Sequence, residues 1–176
     1  MSTKSKLSNA FLMIQSNIKL VFNKITGTDI SFSPKSLVSM CSTIKTDNHG
    51  HISIGSMTAI RSNTEISANG GIIAIKNNCF INKNCMIISH ERIEIGEFVT
   101  IGPNVCIYDH DHDGQGGYVS KPVIIGKNVW IGAGCILLKG IDIGDNAIIG
   151  AGTVVTKNIA ANTITYTKRE NQIRSI

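Results

Sequence analysis

Aromatic side chains are scarce in this chain, 5% of 176 residues, and charged ones make up only 16%. A globule built on stacked rings is therefore excluded; with 42% of residues hydrophobic and isoleucine carrying much of that, a stacked β architecture is expected instead. No apolar run reaches the length of a membrane span. The apolar stretch 11–22 is interrupted by Gln15, Ser16, Asn17 and Lys19, and no convincing cleavage site follows it. No secretory leader is expected, and the cytoplasm is the default compartment. The five cysteines are an odd number without CxxC spacing, which supports neither a disulfide framework nor a zinc knuckle. The net charge of +5 comes from scattered Lys and Arg, so a nucleic-acid footprint is not expected. One local excess stands out: Lys157, Lys168, Arg169 and Arg174 face only Glu170 near the end of the chain, a balance suited to an anionic ligand.

What the chain does have is a beat of six. Isoleucine recurs at Ile54, Ile60, Ile66 and Ile72, then at Ile75, Ile81, Ile87 and Ile93, then at Ile95, Ile101 and Ile107. After one break it resumes at Ile125, Ile131, Leu137, Ile143, Ile149 and Val155. Six fits neither a 3.6-residue helix nor simple alternation, and it marks a repeat architecture with one short flat face per six residues. Grouped in threes, the beats give coils starting at Ile54, Ile75, Ile95, Ile125 and Ile143, spaced by 21, 20, 30 and 18 residues. Eighteen is three sides of a prism, and the excesses are insertions at corners. The large one spans roughly 108–122.

Other positions keep the same time. Four residues after the beat stands a small or β-branched residue, among them Thr58, Thr64, Cys79, Cys85, Val99, Val105, Cys135 and Thr153, which should point inward; this makes the three cysteines core fillers. Three residues after it comes Asn repeatedly, at Asn63, Asn69, Asn78, Asn84, Asn104, Asn128 and Asn146, where a corner needs a residue tolerant of positive φ. Gly follows the beat directly at Gly102, Gly132 and Gly150, among others, which relieves crowding.

Ahead of the repeat, Leu7, Phe11, Ile14, Ile18, Val21, Phe22 and Ile25 fall at helical spacing among lysines, and Gly27 ends the pattern. Such a basic amphipathic helix suits peripheral contact with an anionic membrane. A cap over the first coil is the plainer reading, because an exposed strand edge needs a cover. Residues 30–53 read as an atypical first coil with an irregular beat. The expected organisation is a helical cap at 1–29, a solenoid at 30–160 and a tail at 161–176.

The segment 122–157 joins these signals in an Asn-Val-Trp-Ile-Gly run and a Gly-Ala-Gly-Thr-Val-Val-Thr-Lys run. It resembles the hexapeptide-repeat acyltransferases, closest to the galactoside and maltose O-acetyltransferase type and related surface-polysaccharide O-acetyltransferases, over about residues 70–160. The resemblance implies an all-β fold, a left-handed parallel β-helix, with the N-terminal α-helix and the loop at about 108–122 added to it. It also implies a homotrimer with active sites between subunits, and acetyl-CoA as co-substrate with no metal. The loop histidine that serves this family as general base matches His112, with His110 as competitor. Asp109, Asp111 and Asp113 interleave with them, and one of the three is available to orient an imidazole; Asp109 and Asp111 are also expected near substrate. Asn82 matches the family's acceptor-contacting asparagine, and Trp130 its tryptophan beside the active site. Ala133 and Ala151, flanked by Gly132 and Gly150, match the backbone amides along the pantetheine arm. Lys157, accompanied by Thr156, matches a lysine near the nucleotide end.

Two departures qualify the match. The family's Gly-Asn-Pro-Ala-Lys segment is replaced by the run from Ala160 to Glu170, and the loop between His112 and Trp130 is shorter, which suits a long or polymeric acceptor. The function implied is transfer of an acetyl group to a hydroxyl of a sugar or surface glycan. The alternatives are N-acetylation of an amino sugar, a γ-type carbonic anhydrase with metal on His90, His110 and His112, and a scaffold without catalysis.

Overall fold

The computed structural model describes residues 3–168, with side chains from residue 10 onward. From Ile30 the chain winds as a three-sided, left-handed parallel β-helix of about six turns. Its three parallel sheets contain six, seven and six strands among the described residues.

The beat of six is the stacking register. Phe32, Ile54, Ile75, Ile95, Ile125 and Ile143 pair successively along the first sheet. Val38, Ile60, Ile81, Ile101, Ile131 and Ile149 do so along the second. Ile44, Ile66, Ile87, Ile107, Leu137 and Val155 complete the third. All but Phe32 belong to one continuous buried core, so each coil contributes one side chain to each of three columns, each buried one worth ~1.5–3 kcal/mol. The small positions between them point inward as expected. The thiols of Cys79, Cys85 and Cys135 donate to the carbonyls of Gly96, Gly102 and Gly150, and burial raises all three pKa values.

Four expectations need correction. The first coil is regular, since Phe32, Val38 and Ile44 keep the interval of six with other residue types. Ile72 is off the beat and faces outward, 48% exposed, because the extra residues at 69–71 shift the phase. For the same reason Asn69 lies in a strand, and Gly70 takes the positive φ. The solenoid also continues beyond residue 160: Ile159 bridges to Ile143, and Ile164–Thr165 pairs with Ile148–Ile149. Of the basic tail, Arg169, Glu170 and Arg174 lie outside the described residues.

At the corners, Asn63, Asn78, Asn84, Asn104, Asn128 and Asn146 all have φ near +60°, and Met57 and Phe98 adopt it at the same step without an amide side chain. Glycine is sterically required where one turn lies on the next: a Cβ on Gly132 would sit 2.5 Å from the Ala151 nitrogen.

The helix α1, Thr3–Ile25, covers the first coil, but with its polar side. Ser16 Oγ donates to the Ser36 carbonyl and accepts from the Val38 amide, and Asn17 and Asn23 donate to the carbonyls of Pro34 and Ile44. Lys19 reaches the carbonyls of Met40 and Ser42, and burial lowers its pKa. These bonds satisfy backbone groups of an end coil that has no further coil to pair with.

Candidate functional site

All of the irregular length falls at one corner, between the third sheet and the first sheet of the next coil. Segments 47–50, 69–71 and 89–91 stack there, followed by the large insertion. The expected loop at 108–122 is a hairpin: His110–His112 pairs antiparallel with Tyr118–Ser120, with His112 opposite Tyr118 and His110 opposite Ser120. Strand alternation puts His110, His112 and Tyr118 on one face and Asp111 and Val119 on the other. At the tip, Asp113 accepts the amides of Gln115 and Gly117, which lowers its pKa, and Gly114 and Gly116 supply the positive φ of a tight reversal.

The three aspartates have three different jobs. Asp109 is fully buried: Oδ1 accepts the His90 amide at 2.8 Å and lies 3.2 Å from His110 Nδ1, while Oδ2 accepts Ser89 Oγ, the Glu91 amide and the Arg92 amide at 2.7–2.8 Å. It therefore pins the hairpin's base to the coil below and orients His110. Its carboxylate has no face open to solvent. Asp111 pairs with Lys139 of the coil above, on the far face of the hairpin from the imidazoles. Asp113 shapes the tip.

His110 is 11% exposed, and an Nδ1–H given to Asp109 leaves Nε2 as the ring's acceptor. His112 is exposed, its ring 4.9 Å from that of Tyr118. Tyr118 had not been read from the sequence, and His90 only as a metal ligand in the carbonic anhydrase alternative. His90, from the coil below, packs 4.0 Å from the His110 ring and 4.1 Å from the Tyr118 ring. Burial lowers its pKa, and repulsion from His110 and His112 adds to this against the pull of Asp109. Tyr118 thus touches three imidazoles. The signal for it was the Asp-His-Asp-His alternation, which is a strand pattern and implies a returning partner. Among the described residues no group of three or more His, Cys, Asp or Glu is placed to hold a metal ion.

The second sheet carries a different surface. Phe80, Thr100, Trp130 and Ile148 lie in register on its outer side, with Trp130 57% exposed. They wall a groove of about 490 Å³ whose floor, at the corner between the second and third sheets, includes Asn82, Gly102, Pro103, Gly132, Ala133, Gly150 and Ala151. Six residues expected at a site from the sequence are gathered here. The turn amide two residues after the beat is covered by a side chain in several turns: Ser56 donates to Asn77, Lys83 to Asn82 and Lys127 to Asp145. At Ala133 and Ala151 no such side chain is present, and among the described residues these two amides donate to no acceptor. Being on adjacent coils, they stand about 4.8 Å apart as a two-rung ladder of free donors.

The remaining candidates are elsewhere. Thr156 and Lys157 are exposed and follow Val155, on the corner of the hairpin rather than that of the groove. One chain therefore keeps its imidazoles and its groove on different corners of the prism. A side of six residues at ~3.3 Å each separates them by up to ~20 Å.

Comparison with known proteins agrees with the repeat. The family described as the hexapeptide repeat of succinyl-transferase matches residues 122–157. Nodulation protein L of Rhizobium meliloti (strain 1021) is 43% identical over 72 residues, covering 38% of this chain and 39% of that protein. The chain spans about two fifths of the length of the curated relatives it matches. A maltose O-acetyltransferase from Clostridium difficile 630 is 32% identical, covering 77% of this chain and 65% of that one, with a TM-score of 0.50. The N-acyltransferase AntD of Bacillus cereus, solved with dTDP-4-amino-4,6-dideoxyglucose and coenzyme A, is 22% identical with 86% of each chain covered and a TM-score of 0.68; at that identity the likeness is one of fold. The resemblance to hexapeptide-repeat acyltransferases read from the sequence is thus borne out by the repeat and by the fold.

Proposed function

We propose that the chain is an acetyl-CoA-dependent O-acetyltransferase working as a homotrimer on a hydroxyl of a sugar or surface polysaccharide. The observation that carries this reading is the pair of unpartnered amides at Ala133 and Ala151 on the floor of an apolar groove. Two donors a coil apart beside Trp130 suit the amide carbonyls and methylenes of a pantetheine arm, whose carbonyls accept hydrogen bonds while its chain covers apolar surface. The absence of both Cβ atoms at Gly132 and Gly150 keeps that floor close to the backbone.

The separation of the two surfaces supports the homotrimer. An imidazole on one corner and a donor groove on another complete a site when the hairpin of one subunit lies over the groove of its neighbour. Thr156 and Lys157, on the hairpin's corner, are then the candidates for the nucleotide phosphates. In this arrangement His112, the exposed imidazole, is the general base, and His110, held by Asp109, lines the site beside it. His112 takes the proton of the acceptor hydroxyl as that oxygen bonds to the thioester carbonyl carbon. When the carbon–sulfur bond breaks, the imidazolium returns the proton to the leaving thiolate. Asn82 offers its amide to the acceptor sugar.

The test is incubation of the protein with acetyl-CoA and a panel of nucleotide sugars and oligosaccharides, read by mass spectrometry and by release of free CoA thiol. The expected product carries one added acetyl group that mild alkali removes. An alkali-resistant acetyl would mean an amide and replace O-transfer by N-transfer to an amino sugar. Neither thiol release nor acetylated product across the panel, with the protein folded and trimeric, would overturn the enzymatic reading.

A further inference from the structure

The N-terminal helix leaves its apolar side uncovered. Phe11, Ile14, Ile18, Val21, Phe22 and Ile25 are each between 46% and 76% exposed. At ~100° per residue they fall within one arc about 100° wide, and Ser16, Leu20 and Asn23, which face the first coil, lie on the opposite side. Turning the helix over to bury the stripe in its own chain would forfeit the bonds of Ser16, Asn17, Lys19 and Asn23 to the end coil. The inversion is therefore built in: polar groups inward, apolar groups outward.

Charge says what the stripe faces. Besides Lys19, which is bound to the end coil, the segment Thr3–Ile25 contains Lys4, Lys6 and Lys24 and no acidic residue. A second copy of the same helix laid against it would bring like charges together, whereas an anionic surface complements them. The helix is not long and apolar enough to cross a bilayer, so it suits the plane of the interface. Because it covers the end of the solenoid, its outer side points away from the coils and a flat surface can approach it.

We infer that α1 is an interfacial anchor, lying in the headgroup layer of an anionic lipid bilayer with Phe11, Ile18, Phe22 and Ile25 among the acyl chains, and holding the solenoid end-on to the membrane. This goes beyond the acyltransferase reading and does not depend on it. The experiment is co-sedimentation of the full chain with large unilamellar vesicles of phosphatidylcholine alone and of phosphatidylcholine with phosphatidylglycerol, alongside sedimentation velocity without lipid. Binding is expected to the anionic vesicles, to weaken with added salt, and to fall roughly a hundredfold in Ile18→Asp/Phe22→Asp, at positions 61% and 63% exposed. The double variant should keep the wild-type sedimentation coefficient and far-ultraviolet spectrum. Equal binding to both vesicle types, or none, would overturn the inference. So would a change of oligomeric mass in the double variant, since the stripe would then be an interface between copies.

Discussion

The carboxylate of Asp109 lies 3.2 Å from Nδ1 of His110 while holding three successive backbone amides and a serine hydroxyl of the coil below. One buried group therefore sets both the hairpin's position and one imidazole's orientation. In Asp109→Asn, either orientation of the amide turns an NH2 toward groups that are themselves donors. The variant should lose about 1–3 kcal/mol, and the melting temperature should drop by ~2–4 °C per kcal/mol for a chain of this length. Turnover should fall further than stability alone explains, because the histidines lose their floor. Calorimetry and thiol-release kinetics on the same sample separate the two effects.

Replacing each hairpin histidine distinguishes base from neighbour. His112→Ala should lower kcat about 10²–10⁴-fold with the melting temperature nearly unchanged, since the side chain is exposed. His110→Ala should lower the melting temperature as well, because it removes the partner of Asp109 and the ring against which His90 packs. The reverse pattern would transfer the role of base to His110.

The free amides have an unusually clean test. Pro103 already occupies the turn step that Ala133 and Ala151 hold in the coils above it, so proline fits this backbone and removes only the N–H. Ala133→Pro and Ala151→Pro should each raise KM for acetyl-CoA by up to ~10-fold, the equivalent of one hydrogen bond, with an unchanged melting temperature. An unaltered KM in both would separate the groove from the donor.

Inside the solenoid, Ile101 and Thr153 predict opposite signs. Ile101→Ala opens a cavity in the second-sheet column and should cost about 2–5 kcal/mol. Thr153 has a buried hydroxyl without a partner, at a step where Val99, Val105 and Val129 sit elsewhere, so Thr153→Val should raise the melting temperature by a few degrees. Thermal unfolding of the two variants against the parent checks both.

Burial of His90 against two other imidazoles sets the sign of a pH dependence of the fold. Its pKa in the folded chain is below the ordinary 6.5, so the unfolded chain binds the proton more readily. The stability it contributes is present above pH ~6.5 and declines as pH falls below that, when an imidazolium is forced against His110 and His112. Melting curves between pH 7.5 and 5 should show this fall, and His90→Gln should flatten it while lowering the value at pH 7.5.

The coil starts, the inward small residues and most positive-φ corners could be read from the sequence because a period of six marks the sides of a stacked β solenoid. What was hidden had lost either its residue type or its phase. Phe32 and Val38 keep the beat without isoleucine, and Ile72 keeps isoleucine without the beat. The roles of the aspartates were hidden for another reason: spacing within 109–113 cannot tell which carboxylate meets the amides of residues 90–92, a contact made only after the coils stack. The helix is a third case. Its sequence pattern suited both a cap and a membrane contact, and which side meets the first coil is set by that coil's unpaired backbone groups, which take the polar side.

Within each coil the steps from first to second and from second to third sheet are always six residues, and every departure in length falls at the remaining corner. That corner behaves as a port: segments of differing length stand there without disturbing the register of the other two faces. The hairpin with its imidazoles is the largest of them. A designer can shorten, lengthen or exchange it and leave the lattice of the solenoid, and the groove on the neighbouring corner, as they are.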